Sequence, residues 1–443
     1  MLAVTMKILA LCFVFLVTSC KCESWDFSVA PAPQIETPSE ETAPSPAPEA
    51  PSPAPEAPSP VPEGWFDVTK YGAIGDGVKD CSSAFLAAWK AACNHGGEST
   101  FFIPEGTFLV GHIIFEGPCY NEGSPLVLLN GTLHAPSSPE AFHDDEWIKF
   151  QDLRELHVVG GTGTSLLDGQ GQEARKHSTK KRPVSLKLLD VVSGSIRNIN
   201  LLNSKFFNMN LQKCQNITVL GVNITAPSDS PNTDGIHLSQ STNMNITSSI
   251  IGVGDDCISI GPGNTDIFIS NITCGPGHGI SVGSLGKYSN EEDVVGIRVR
   301  NCTINGTTNG VRIKSWRGSP VSNALNMTFE DILMINVSNP IIIDQEYCPH
   351  KDCSSLKPSK VKLNNVGYRN IWGTSNTKAA VTLVCSSSTP CENVHLTDIN
   401  FNYTIQEHKF KDSKYKSDDQ NPHIPCLSVK GALNGLQISN FQV

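Results

Sequence analysis

The sequence predicts an all-β fold, a parallel β-helix in which the chain winds into a solenoid of short strands. Apolar, β-branched fragments recur roughly every 20–30 residues, and each is followed by a second short apolar stretch and a polar loop. The clearest fragments are Ile217–Leu220, Ile246–Ser249, Ile267–Ile269, Ile297–Val299 and Met327–Phe329. Gly and Asn punctuate these runs, which favours strands over a helical array.

Polar motifs occupy the loops of this repeat at a regular spacing. They are Asn232–Gly235, Gly254–Cys257, Gly277–Gly279 and Arg312–Lys314. Asp234 precedes Asp256 by 22 residues, and Asp256 precedes His278 by 22 residues, each before a similar apolar run. Stacked strands lie about 4.8 Å apart, so these three side chains are predicted to form a column on successive coils. Three carboxylates, one imidazole and two cations would then share one patch.

These motifs resemble those of the plant polygalacturonases, a family of pectin-degrading glycoside hydrolases. The similarity runs from about Phe66 to the C-terminus and includes Phe66–Ala73, Ser230–His237, Gly252–Gly261, Cys274–Gly286 and Gly310–Trp316. The resemblance implies a right-handed parallel β-helix that hydrolyses α-1,4 linkages of polygalacturonate with inversion. Asn203–Phe207, Ser230–Asn232 and Pro340–Gln345 look most like the exo-acting branch.

The resemblance also implies roles for the clustered residues. Asp255 would be the general acid, Asp234 and Asp256 would position and deprotonate the attacking water, and His278 would tune Asp255. Such hydrolysis requires an acid and a base, and crowded carboxylates raise the pKa of one another. Arg312 and Lys314 would clamp a substrate carboxylate, which their spacing allows because alternate strand residues share a face. Tyr347 would line the site.

Plainer interpretations of the same residues remain open. An aspartate in a turn often accepts hydrogen bonds from backbone N–H groups, and a pair of cations on a strand is often only solvated. His278 could be a turn residue or a metal ligand, but further His or Cys ligands are not evident, so we expect no metal and no cofactor. Coil spacing of about 5 Å alone would favour a retaining pair of carboxylates, whereas the family inverts.

The N-terminal region differs in composition from the rest. Residues 1–22 contain Lys7 and an apolar run too short to span a bilayer, which predicts a secretory signal peptide. Residues 23–64 form a Pro/Ala/Ser/Glu-rich tail expected to be disordered, either an inert spacer or a tether to the cell wall. Residues 65–443 form the predicted β-helix domain, and Ser82–Ser83 are expected to cap a helix over residues 84–92 that covers its N-terminal end.

Cysteines indicate an oxidising compartment. Twelve of the 15 follow the signal segment, which favours disulfides in a secreted chain. Cys348/Cys353 and Cys385/Cys391 are close enough to close single loops, and the resemblance pairs Cys257 with Cys274. Cys214 and Cys302 either join a disulfide or remain buried thiols in a stack of coil turns.

Charge restricts the partners. The net charge is −10, but residues 23–63 contain eight acidic residues and no Lys or Arg, so the β-helix itself is closer to neutral. The sequence lacks a basic stripe with interleaved aromatics, so nucleic-acid binding is not predicted. After the signal segment, it also lacks an apolar run long enough to predict a membrane span. We expect a secreted, extracellular monomer of the cell wall whose partner is pectin or polygalacturonate.

Function classes other than exo-hydrolysis are an endo-acting polygalacturonase, a β-helix lyase and a non-catalytic pectin-binding wall protein. Lyases generally use an Arg or Lys base and lack the three aspartates.

Two departures from the family, at Gln170–Lys176 and Asn208, are expected to border the groove. Ten Asn-x-Ser/Thr triplets are glycan acceptor candidates, although Asn also suits β-helix turns because it tolerates the left-handed region.

Overall fold

The computed structural model describes residues 63–120, 123–142, 144–176, 182–349, 353, 357–404, 426–427 and 429–439. The predicted signal peptide and nearly all of the Pro-rich tail lie outside these residues. None of the helices in the described ranges is long and apolar enough to cross a bilayer.

Strands dominate the described ranges. In chain order they are β1 (Trp65–Asp67), β2 (Asp76–Asp80), β3 (Thr100–Ile103), β4 (Thr107–Leu109), β5 (Ile113–Glu116), β6 (Leu126–Leu129), β7 (Thr132–His134), β8 (Glu146–Gln151), β9 (Arg154–Gly160), β10 (Leu166–Asp168), β11 (Val184–Leu189), β12 (Val192–Arg197), β13 (Asn200–Leu202), β14 (Met209–Gln212), β15 (Gln215–Leu220), β16 (Asn223–Thr225), β17 (Ile236–Ser239), β18 (Thr242–Gly252), β19 (Ile258–Ile260), β20 (Thr265–Cys274), β21 (Ile280–Leu285), β22 (Val294–Asn305), β23 (Asn309–Trp316), β24 (Ser322–Val337), β25 (Asn339–Tyr347), β26 (Val361–Ser375), β27 (Val381–Val384), β28 (Cys391–Tyr403), β29 (Cys426–Leu427) and β30 (Val429–Ser439).

Two extended sheets form the β-helix that the repeat predicts. The second sheet has 11 strands in the order β29-β27-β25-β23-β21-β19-β17-β14-β11-β8-β5, and the remaining 19 strands form the first. All pairings are parallel, as between β17 and β19 or β19 and β21. Long strands of the first sheet bend around a corner: β18 pairs with β15 through its first half and with β16 through its last three residues.

The corner of the first sheet explains many of the asparagines. One residue per coil takes the left-handed conformation there, with φ near 50°: Ser248, Asn271, Asn301, Asp331, Asn370 and Asp398. They are aligned in register along the stack. Asn and Asp tolerate this region because their short polar side chains bond locally. Asn301 donates to the side chain of Asn271 at 2.5 Å, so part of the Asn pattern builds the coil corner.

An α-helix covers the N-terminal end of the solenoid. α1 spans Ser82–Cys93, and its Phe85 and Trp89 pack edge-on against Phe101 at 6.0 and 5.7 Å. The expected Ser82–Ser83 cap is wrong in detail, because the helix begins at Ser82 and Asp80 accepts the Ser82 N–H at 2.8 Å. The other helices described are α2 (Gly171–Arg175) and two 3₁₀ turns, Val68–Tyr71 and Pro139–Ala141.

Disulfides follow the sequence expectations with one addition. Cys257–Cys274, Cys348–Cys353 and Cys385–Cys391 are bonded, and Cys93–Cys119, which the sequence did not suggest, ties α1 to the loop after β5. Cys81, Cys214 and Cys302 are buried free thiols. The even cysteine count therefore overestimated the number of bridges, because in a stacked core a small apolar thiol packs well without a partner.

Candidate active site

The four motifs come together on the outer face of the second sheet. Ile236 pairs with Ile258 and Ile258 with Ile280, so the residues two positions earlier in each coil are also aligned. These earlier residues are Asp234, Asp256 and His278, which confirms the predicted column. Each lies where a loop enters a strand, and the Cys257–Cys274 disulfide ties the loop after Asp256 to the neighbouring strand.

Asp256 is buried among cations. Its Oδ1 accepts hydrogen bonds from Arg312 Nη2 and Ser281 Oγ, both at 2.7 Å, and its Oδ2 accepts one from Lys314 Nζ at 2.8 Å. Burial alone would raise the pKa of Asp256, but the charges of Lys314 and Arg312 lower it from 3.8 to about 2. Asp256 is therefore ionised at any ordinary pH.

Asp234 has the opposite environment. Its side chain is buried, and its Oδ2 accepts a hydrogen bond from Ser259 Oγ at 2.6 Å. Burial raises the pKa of Asp234 well above its usual range, and the charges of Asp255 and Asp256 raise it further. Asp234 is thus the carboxyl group of the cluster that is prone to hold a proton.

Asp255 lies at the mouth of the cluster. Its side chain is 20% exposed, and its Oδ1 is 2.9 Å from His278 Nδ1. The Asp256 backbone N–H also donates to Oδ1 at 2.9 Å, while the backbone and side-chain nitrogens of Asn232 lie 3.3 and 3.4 Å from Oδ2. Asp255 is therefore oriented on both oxygens and still reachable from solvent.

One arrangement in the cluster could in principle hold a cation. Ligand atoms of Asp255, Asp256 and His278 lie within 4.8 Å of one another. Both Asp256 oxygens, however, are already engaged by Arg312 and Lys314, whose charges repel a metal ion. The geometry thus fits proton transfer better than metal binding.

Comparison with known proteins shows the family of the chain. The model of glycosyl hydrolases family 28 matches residues 93–419, which include every residue of the cluster. The chain belongs to this family.

Curated relatives within the family have similar lengths. The chain is 46% identical over 346 residues to an exopolygalacturonase of Platanus acerifolia, which covers 76% of this chain and 90% of that one. It is 46% identical over 351 residues to a polygalacturonase of Gossypium barbadense, covering 77% and 85%. An exopolygalacturonase of Zea mays is 44% identical over 381 residues, 84% and 89% of the two chains.

Solved structures of low sequence identity share the fold, a right-handed parallel β-helix. A hyperthermoactive exopolygalacturonase from Thermotoga maritima superposes with a TM-score of 0.65 at 18% identity, covering 78% of this chain and 88% of that one. A family 28 exopolygalacturonase from Yersinia enterocolitica gives a TM-score of 0.63 at 17% identity, covering 85% and 79%.

In this family 28 chain, the two cations expected from the sequence, Arg312 and Lys314, are more buried than a pair of solvated strand residues would be. Arg312 and Lys314 do share a face, but Lys314 is only 7% exposed and both bind Asp256. The Lys314 ammonium lies 5.4 Å from the centroid of the Tyr347 ring, and Tyr347 meets Trp316 edge-on at 5.3 Å. The sequence-predicted residues therefore form one contiguous group.

Sequence reasoning missed two serines that contact the aspartates and a histidine that contacts one of these serines. Ser259 and Ser281 pair with each other on β19 and β21, and each donates to a carboxylate of the preceding coil. His237 Nδ1 lies 2.8 Å from Ser259 Oγ. Burial lowers the pKa of His237 to about 4, so its ring is neutral at mildly acidic pH and above. The signal that could have found them is that each lies three residues after a member of the column, Asp234, Asp256 or His278.

Asn208 does not border the groove as expected. It is fully buried, and its side-chain amide donates to the backbone carbonyls of Thr233 and Asp234, both at 3.1 Å. A buried amide can satisfy two carbonyls at once, so Asn208 holds the loop that carries Asp234.

Proposed function

We propose that this protein is an exo-acting polygalacturonase that hydrolyses α-1,4-galacturonosyl linkages of polygalacturonate with inversion. Membership of family 28 and the names of its relatives support the substrate class and the exo mode. The observation that carries the proposal is the pairing of a solvent-reachable, oriented carboxyl, Asp255, with two buried carboxyls of opposite protonation tendency.

Asp255 supplies the proton that the leaving oxygen needs. Its exposure lets a glycosidic oxygen approach, and the contacts from His278 and Asn232 hold the carboxyl in one orientation. A general acid must lie within hydrogen-bond reach of the atom it protonates, which the buried Asp234 and Asp256 do not offer to a bulky sugar chain. His278 acts here as a positioning residue.

Asp256 and Asp234 hold the attacking water between them. Asp256 provides a fixed negative charge, and Asp234, whose pKa is raised, accepts the proton that the water loses. Asp256 Oδ1 accepts from both Ser281 and Arg312, but its Oδ2 accepts only from Lys314 among the contacts described. Asp234 accepts only from Ser259 in that set, so each carboxylate keeps a lone pair for the water. The two carboxyl groups can take different roles because their environments separate their pKa values.

Recognition of the anionic substrate falls to Arg312, Lys314 and Tyr347. In the contacts described, Arg312 uses two of its five N–H donors and Lys314 one of its three, so both keep donors for a uronate carboxylate. We also propose that residues 65–443 act as the catalytic domain of a secreted, monomeric enzyme of the cell wall, with the Pro-rich tail as spacer or tether.

The decisive experiment replaces the acid. Asp255→Asn is nearly isosteric but cannot donate the proton, so kcat on polygalacturonate should fall by about 10²–10⁴-fold with little change in substrate binding. Asp331→Asn is the matched control, because Asp331 occupies the coil-corner column in which Asn is also found. Retention of more than half of the wild-type kcat by Asp255→Asn would refute the assignment.

The reaction class is tested on the wild-type products. NMR of the freshly released sugar should show the anomer opposite to that of the substrate linkage if the water attacks directly. A retained anomer would contradict inversion, an unsaturated product would identify a lyase, and no release would favour the pectin-binding protein.

A further inference from the structure

Two aromatic side chains stand beside the catalytic column without a role in the chemistry described. Phe206 and Phe207, here called the aromatic ledge, are stacked with their ring centroids 4.1 Å apart. Both are half-buried. The Phe207 ring also stacks on His237, with centroids 4.6 Å apart and an interplanar angle of 26°.

The position of the aromatic ledge follows from the strand register. Met209 of β14 pairs with Ile236 of β17, so Phe207, two residues before Met209, occupies the place that Asp234 has on the next coil. The catalytic column therefore continues towards the N-terminus as Phe207, about 4.8 Å from the coil of Asp234. Because Phe207 stacks on His237, it also covers the outer face of the sheet there.

Buried polar residues hold the aromatic ledge in place. Lys205 is 3% exposed, and its ammonium donates to the carbonyls of Pro136 at 2.7 Å and Gly169 at 2.5 Å. Ser204 Oγ donates to the carbonyl of Phe207 at 2.8 Å. Asn208, directly after the ledge, is also fully buried.

A second anchor comes from α2. Arg175 donates to the carbonyl of Ser204 at 3.1 Å and to the side chain of Asn203 at 2.8 Å. Burying an ammonium and an amide is costly unless they are hydrogen-bonded. Within Ser204–Asn208, the three polar side chains are buried and hydrogen-bonded, and only Phe206 and Phe207 are partly exposed. The backbone that carries the two rings is therefore held rigidly.

The charges on the two sides of the aspartates differ. Arg312 and Lys314 lie on the coil after His278, on the C-terminal side of Asp256. The aromatic ledge on the N-terminal side presents apolar ring faces, which give no partner to a carboxylate. A polyuronate lying along the column would meet Arg312 and Lys314 in one direction and the ring faces of the aromatic ledge in the other. The lysines further along that side, Lys187 and Lys149, are engaged by Glu146.

We propose that the aromatic ledge is the end wall of the substrate groove, and that it binds the terminal galacturonosyl ring and stops the chain from extending past Asp234. The inference rests on the proposed polygalacturonase function and explains its exo mode. The flat ring face of Phe206 packs against the C–H face of the terminal sugar, as aromatic side chains pack against apolar surfaces elsewhere. Only the end of a chain can then place a linkage at Asp255.

The test follows the early products of polygalacturonate hydrolysis by anion-exchange chromatography. The wild type should release galacturonate alone, whereas Phe206→Ala and Phe206→Leu should also release oligomers. The ratio of oligomers to galacturonate should rise to about tenfold above the detection limit that bounds the wild-type value, since one aromatic contact discriminates by roughly that factor. Phe206→Trp, which keeps a flat face, should behave as the wild type.

Trp372→Ala is the control, because Trp372 is a partly exposed aromatic on β26 of the other sheet. Folded, active Phe206→Ala and Phe206→Leu variants that release only galacturonate would overturn the proposal. A wild type that releases a ladder of oligomers would also overturn it while leaving hydrolysis intact. A wild type that releases no sugar would instead refute the polygalacturonase function itself.

Discussion

Asp234 and Asp256 stand one coil apart at the same strand position, yet their environments are opposite. Each accepts a hydrogen bond from a serine at the equivalent place on the next coil, Ser259 or Ser281. Ser281 also accepts a hydrogen bond at 3.0 Å from Nε of Arg312 on the following coil, whereas Ser259 Oγ lies 2.8 Å from Nδ1 of His237 on the preceding coil. The same aspartate–serine hydrogen bond is thus next to a cation in one case and next to a neutral ring in the other.

This difference separates the two carboxyl groups chemically. Asp256 is hydrogen-bonded to two cations, which lower its pKa. Burial and the neighbouring carboxylates raise the pKa of Asp234 by more than Ser259 and the charge of Lys314 lower it. Repetition of a coil therefore supplies the positions of the aspartates, and the residues of adjacent coils set their protonation. Three substitutions test this comparison.

The largest effect is expected from removing the charge of Asp256. Asp256→Asn leaves Arg312 and Lys314 without their buried partner, so the free energy of unfolding should fall by about 3–5 kcal/mol at neutral pH. Because the pKa of Asp256 is lower in the folded chain than its value of 3.8, the wild-type advantage is present above about pH 4. It should disappear as the pH falls through about 2.

Denaturant unfolding of both proteins at pH 7 and at lower pH measures this difference. Equal stability at pH 7 would mean that the cations do not depend on Asp256, and the contrast between the two aspartates would be lost.

The same substitution at Asp234 should act in the opposite direction. Burial of an ionised Asp234 destabilises the folded chain once the pH rises from about 4 through its raised pKa. Asp234→Asn removes that cost while keeping an acceptor for Ser259, so it should stabilise the protein at neutral pH. The gain is about 1.4 kcal/mol for each unit by which the pKa is raised.

Thermal unfolding as a function of pH provides the measurement, and activity should be lost although stability rises. A lower melting temperature for Asp234→Asn at pH 7 would show that Asp234 is held ionised like Asp256.

The smallest effect concerns the neutral partner. With Asp234 ionised, the Ser259 hydroxyl donates to it and His237 Nδ1 donates to Ser259. His237→Phe keeps the stack on Phe207 and removes this donor, which should lower kcat/KM by about 2–10-fold. The acidic limb of the pH–rate profile should also move, because the base Asp234 must lose its proton along that limb and the hydrogen bond from Ser259 helps to lower its pKa.

His237→Asn, which places an amide donor near the position of Nδ1, should recover most of the loss. If His237→Phe had the pH profile of the wild type, His237 would serve only to support the aromatic ledge.

Much of the fold and of the site could be predicted from the sequence because a β-helix is nearly one-dimensional. Equal 22-residue steps require Asp234, Asp256 and His278 to occupy equivalent places, and the alternation of a strand puts Arg312 and Lys314 on one face. The left-handed coil corners similarly follow from Asn and Asp residues that recur at the same position in successive coils. These are consequences of position along the coil.

Contacts between distant coils were beyond the sequence. Arg312 and Lys314 reach Asp256 across 56 and 58 residues, through an inserted loop whose path the period does not specify. The same holds for the burial of Asn208, the unpaired Cys81 and the stacking of Phe207 on His237. The sequence by itself determined where each functional side chain lies along the stack. Only the tertiary structure decided which neighbours surround it, and those neighbours set its burial and its charge state.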